Sequence, residues 1–183
     1  YFEKVEALKQ FNQTNIDLTG ILKKFYASYK EAVESNGISI DTLHPLLLKF
    51  LDLVEHQLKE PYSFKSFHES IREPFDYYKF GLDFIKPLVV LDSSNVLNLE
   101  IADEINALLS KGENVILLAN HQTEPDPQAI SILLEKTHPK LAEEMIFVAG
   151  HRVISDPLCV PFSMGRNLLC IYSKKHIKTP PEK

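Results

Sequence analysis

The chain has 183 residues, enough for one medium domain or two small ones with a sizeable core. Hydrophobic residues make up 44% and charged residues 25%, a globular balance that excludes a disordered profile. A net charge of −5 argues against nucleic acid as the main partner, since a phosphate backbone selects a basic surface.

The first 60 residues carry helical periodicity. Phe2, Val5, Leu8 and Phe11 recur every third residue. Leu18, Ile21, Leu22, Phe25, Tyr29 and Val33 form a second stripe, closed by Asn36-Gly37 as a C-cap. Asp41 is placed to cap a third helix bearing Leu43, Leu46, Leu47, Phe50, Leu51, Val54 and Leu58, with Pro45 early enough to be tolerated. Three amphipathic helices on short connections predict a small bundle. His44 and His56 stand alone in it and read as surface or packing residues.

Glu60-Pro61 breaks the pattern, which puts a domain boundary there: 1–60 as the bundle, 61–183 as a second unit. Residues 61–91 hold a dense aromatic series, and their spacing fits helical segments broken by Pro74 and Pro87 that pack a core. Asn98 starts a further helix with Ile101, Ile105, Leu108 and Leu109 turned inward, ended by Lys111-Gly112.

From residue 114 the rhythm becomes α/β. Val115 to Leu118 reads as a fully buried strand, 114–119, followed by a helix near 127–136. A second strand spans 145–149, and a short helix starts at Asp156-Pro157 and ends at Gly165. A third strand spans 168–172 and leads to Lys174, Lys175 and His176. Buried apolar strands alternating with helices predict an α/β fold with a mostly parallel sheet flanked by helices. Three strands make that sheet incomplete, so further strands are expected beyond Lys183. No apolar stretch reaches about 18 residues, so no transmembrane segment is expected.

The chemistry concentrates at His121 and Asp126, on the loop between the first predicted strand and its helix. In an open α/β sheet such loops lie at the carboxyl ends of the strands, where ligands bind. An imidazole whose second nitrogen meets a carboxylate is a general base held in one tautomer. The spacing alone is weak: seven histidines and nine aspartates give about a third of such a match by chance. The chain holds two, His121 to Asp126 and His151 to Asp156, each ending in Asp-Pro. The plain alternative for each aspartate is a helix N-cap. Lys174, Lys175 and His176 suit a phosphate clamp or, equally, a solvated basic loop. Arg152 and Arg166 either add positive charge or pair with a carboxylate. Cys159 and Cys170 form no metal-type pair and no disulfide framework, which suits a reducing compartment, and they read as small packing groups.

The segments REPFDYYKFGLDFIKPLV, LLANHQTEPDP and AGHRVISDPLCVPFSMGRNLLCIYSKKH resemble the soluble, plastid-type glycerol-3-phosphate acyltransferases and similar enzymes of chlamydia-like bacteria. The likeness runs from about residue 61 to the end. It implies an acyltransferase-type α/β fold with a helical N-terminal domain, and transfer of a fatty acyl group from an acyl thioester to the 1-hydroxyl of glycerol 3-phosphate. The donor would be acyl-carrier protein or coenzyme A, and the compartment plastid stroma or bacterial cytoplasm. The resemblance makes His121 the general base, Asp126 its orienting partner, and Lys175 and His176 phosphate ligands, with no cofactor and no metal. Two positions depart from the family pattern: His151 stands for a usual aspartate, making the second match accidental, and Val160 stands for a usual lysine. The family's later arginine-containing block lies beyond Lys183, so the chain is expected to be the N-terminal portion of a longer protein and inactive alone. The rivals are a metal-dependent hydrolase, which needs a third ligand besides His121 and Asp126, and a non-catalytic module that binds an anion or carrier protein.

Overall fold

The computed structural model describes residues 1–12 and 16–171. The N-terminal helices form much as the periodicity predicts: α1 (Phe2–Ala7, continued by a 3₁₀ turn to Phe11), α2 (Leu18–Ser35) and α3 (His44–Lys59). Asp17 caps α2 by accepting the Gly20 N–H at 3.0 Å, and Gly37 beyond its end has a left-handed φ of +77°. Asp41 is not the cap of α3. It lies inside a 3₁₀ turn, Ile40–Leu43, whose start is capped by Ser39, and α3 itself opens with Pro45 in its first turn. The extra turn uses the N–H groups that Asp41 was expected to serve.

The core that begins on these helices continues through the aromatic region. Val5, Leu22, Leu47, Leu51 and Val54 are fully buried, and Phe80 and Phe84 join them. Phe84 is the hub, with ring centroids of Tyr29, Phe50, Phe80 and Phe162 between 5.0 and 5.7 Å away. The Tyr29 hydroxyl donates to the Phe84 carbonyl at 2.8 Å, satisfying a polar group that burial would otherwise penalise.

The aromatic stretch is only partly helical. Its helix is α4 (Tyr77–Ile85), capped by Asp76, which accepts the Lys79 N–H at 2.8 Å. Ahead of Pro74, Phe67–His68 forms a short strand, β1, that the aromatic spacing did not indicate. The sheet holds β2 (Ile146–Gly150) parallel to β3 (Asn167–Ile171), with β1 antiparallel on the other side of β3, in the order β1-β3-β2. The fold class is thus mixed α/β, with the long ladder parallel and one short antiparallel edge. The remaining helices are α5 (Glu100–Ser110), α6 (Asp126–Leu134), α7 (Pro139–Glu144) and the one-turn α8 (Val160–Ser163).

Gly165 is not chiefly a helix cap. A Cβ there would lie 2.4 Å from the Tyr77 carbonyl oxygen and 2.6 Å from the Tyr78 nitrogen. The backbone leading into β3 therefore touches the start of α4, and only glycine leaves room.

Two expectations of burial also fail. Residues 114–119 form no strand, and their apolar run faces solvent, with Ile116 83% and Leu118 95% exposed. A strand needs a neighbour to pair its N–H and C=O groups, and among the described residues none pairs with 114–119, although the outer edge of β2 carries no strand there. The apolar stripe of α5 is likewise largely outward: Ile101, Leu108 and Leu109 are exposed, Ile105 is half-buried, and only Ala102 is buried. One face of the sheet, with Phe67, Ile146, Val148, Leu169 and Ile171, is uncovered among the described residues. Among those residues no helix is long and apolar enough to cross a membrane.

Candidate active site

The site is local in sequence and closed by one carboxylate. Residues 121–125 bend between the extended run and α6, whose first residue is Asp126 and whose first turn holds Pro127. Asp126 does not cap its helix. Its carboxylate turns back over the loop. Oδ2 accepts from His121 Nδ1 at 2.8 Å and from the Gln122 N–H at 2.8 Å, while Oδ1 accepts from the Thr123 N–H at 3.1 Å and the Thr123 hydroxyl at 2.9 Å. Pro127 removes one N–H from the first helical turn, and the loop offers four donors in compensation.

These bonds set the electrostatics. The Gln122 N–H above all, with the His121 ring and Thr123 adding to it, holds the Asp126 carboxyl well below the usual carboxylate range, against an opposing effect of burial that is second in size. An ionised carboxylate only accepts, so the proton of a neutral His121 sits on Nδ1 and the lone pair on Nε2. Among the described residues no hydrogen bond engages Nε2, and the His121 side chain is 69% exposed. The arrangement is a base with one fixed tautomer and an open nitrogen.

A second His–Asp pair shows by contrast what makes this one available. His138 Nε2 lies 3.1 Å from Asp103 Oδ1, but its Nδ1 is bonded to Thr137 and the ring is buried. Both nitrogens are spent, and the pair ties α5 to the start of α7. In the His151–Asp156 match the carboxylate is turned elsewhere: Asp156 Oδ1 accepts the Leu158 N–H at 2.9 Å, a local turn contact. The short helix begins at Val160 rather than Asp156.

The arginines separate. Arg166 is buried, donates to Ser131 Oγ at 2.6 Å, and stacks over Tyr78 and Phe147 at 4.9 and 5.7 Å. Burial lowers its pKa to about 10. It braces α6 from inside rather than facing solvent. Arg152, just past the carboxyl end of β2, pairs with Glu124 of the loop at 3.1 Å. Glu124 was missed in the sequence, although a glutamate inside the loop and an arginine in the matching block were its available signal. Burial pushes the Cys159 thiol up to about 11 and raises Cys170 as well, so neither is an activated nucleophile. Among the described residues no three His, Cys, Asp or Glu side chains gather as a metal set, so the hydrolase reading lacks its third ligand there. Lys175 and His176 lie outside the described residues.

A family model described as Acyltransferase matches residues 96–180. The chain is 51% identical over 84% of its length to the chloroplastic glycerol-3-phosphate acyltransferase of Spinacia oleracea, covering 33% of that protein. It is 48% identical over 88% of its length to a chloroplastic glycerol-3-phosphate acyltransferase of Cucurbita moschata, covering 35%, and 44% identical over 88% to that of Arabidopsis thaliana, covering 36%. The chain thus spans about a third of the length of these curated relatives.

Proposed function

The chain is homologous to the plastid glycerol-3-phosphate acyltransferases, and from that premise we propose that it is part of an enzyme transferring a fatty acyl group to the 1-hydroxyl of glycerol 3-phosphate. His121 Nε2 removes the hydroxyl proton as the oxygen attacks the thioester carbonyl. The tetrahedral intermediate then collapses, the C–S bond breaks, and the thiolate leaves with the proton carried by the imidazolium. Asp126 holds the tautomer and stabilises the imidazolium in between. Transfer is direct, with no acyl-enzyme and no metal step. The donor is acyl-carrier protein or coenzyme A.

Lys175 and His176 bind the substrate phosphate in this reading, fixing which hydroxyl meets the base. Residues 1–60 are a helical N-terminal domain, and 61–183 the N-terminal part of the acyltransferase domain. The chloroplastic names of the relatives support the plastid stroma as its compartment.

The observation that carries the reading is the 2.8 Å hydrogen bond from His121 Nδ1 to Asp126, in an exposed loop that leaves Nε2 open. The test is thioester consumption with glycerol 3-phosphate, using the chain extended by its native continuation. Activity that drops by about 10²-fold or more in His121→Ala, the scale of positioned general-base catalysis, supports the reading. A His121→Ala variant that keeps most of its rate refutes it. Binding of glycerol 3-phosphate without turnover in the extended chain points instead to a non-catalytic module.

A further inference from the structure

The HRVISD block repeats the spacing of the site yet takes no part in the proton transfer described above. Its geometry gives it another task. His151–Ile154 form a tight turn directly after β2, and the Arg152 carbonyl accepts the Asp156 N–H at 2.9 Å and the Ser155 N–H at 3.2 Å. Asp156 in turn closes on Leu158. The turn is thus fixed by its own backbone, and its guanidinium reaches Glu124 at 3.1 Å.

The other partner sits in the loop that carries the base. Gln122 and Thr123 are held from inside by Asp126, and Pro125 has a fixed φ and no N–H to give. Glu124 is the loop residue whose side chain leaves the loop and meets a different element. The inner anchor fixes the ring against its carboxylate, and the outer anchor fixes the loop against the sheet.

We propose that Arg152 is a positioning residue, which through Glu124 clamps the 121–126 loop to the carboxyl end of β2 and so sets where the His121 ring stands. The proposal rests on the reading of His121 as base. An exposed ion pair adds little to global stability. Placement is a different matter, because a shift of about 1 Å in a reacting group costs on the order of 10²-fold in rate. The chance repeat of His and Asp in HRVISD is thereby replaced by a role for the arginine between them.

The test uses the 183-residue chain labelled for NMR, with Arg152→Gln, Glu124→Gln and the exchanged pair Glu124→Arg/Arg152→Glu. Each single variant is expected to speed amide exchange at Gln122 and Thr123 by about two- to fivefold, the factor an exposed ion pair supplies. Amides of α2 and α3 stay unchanged, and the exchanged pair restores the slow rates. In the extended enzyme the same single variants lower kcat while KM for glycerol 3-phosphate holds. Unchanged exchange in the single variants, or an exchanged pair no better than either single, overturns the clamp. A rise in KM with kcat intact also overturns it, making Arg152 a phosphate ligand. The exchange measurement needs no turnover, so it stands or fails apart from the acyl-transfer assay.

Discussion

Asp126 accepts the His121 Nδ1–H and the Gln122 N–H on the same oxygen, each at 2.8 Å. One carboxylate therefore both orients the imidazole and closes the loop that carries it. Any substitution at Asp126 disturbs the two functions together, whereas a substitution at His121 leaves the loop bonds in place.

That difference separates two variants. His121→Ala is expected to keep the slow amide exchange of Gln122 and Thr123 while transfer in the extended enzyme falls by about 10²-fold or more. Asp126→Asn is expected to lose activity on the same scale, since a neutral amide leaves the tautomer unspecified. It should also speed exchange at both amides. Equal exchange in the two variants would contradict the dual role.

The depressed Asp126 carboxyl carries a sign that acid titration can check. Its folded value lies below its unfolded value of about 3.9, so its contribution is present above about pH 4 and is lost only as pH falls toward the folded value. The Asp126 side-chain carbonyl resonance is expected to show no titration step near pH 4. A midpoint at the ordinary carboxylate value would mean that the Gln122 and Thr123 bonds are not made in solution.

Gly165→Ala tests the contact between the entry to β3 and the start of α4. The added methyl meets the backbone of Tyr77 and Tyr78, which cannot swing aside as a side chain can. A loss of about 1–3 kcal/mol is expected, the usual cost of overpacking, read as a lower denaturant midpoint. A midpoint equal to that of the unmodified chain would show that the two backbones stand further apart.

Cys159 is expected to resist alkylation. With its thiol pushed up to about 11, only about one in a thousand is thiolate at pH 8, so iodoacetamide should react roughly a hundredfold slower than with an ordinary cysteine. The folded and urea-unfolded chains, compared by peptide mass spectrometry, give the ratio. Similar rates in both would place the thiol in water.

The contact between His121 and Asp126 was within reach of the sequence because the two lie on one loop, but the same spacing recurs at His151 and Asp156, where Asp156 accepts the Leu158 N–H, so the family resemblance and not the spacing singled out the first. Lys175 and His176 were read from resemblance and fall outside the described residues. The direction of the Asp126 carboxylate was not legible. Asp-Pro at a helix start reads as a cap, and only the N–H groups of Gln122 and Thr123, brought close by the bend, turn the side chain around. The Arg152–Glu124 pair joins residues 28 positions apart and leaves no periodic trace.

The sequence by itself determined the three N-terminal helices and two strands, expected at 145–149 and 168–172 and each displaced by one residue in the fold (Ile146–Gly150 and Asn167–Ile171), because these depend on periodicity along the chain. The tertiary structure alone decided the antiparallel seat of Phe67–His68 beside β3, the close backbone approach at Gly165, and the exposure of Ile116–Leu118 and of the α5 stripe. An apolar pattern states which side chains favour burial. Whether a partner surface arrives to bury them depends on residues far away in the chain, and for a strand also on a neighbour with free hydrogen-bonding groups.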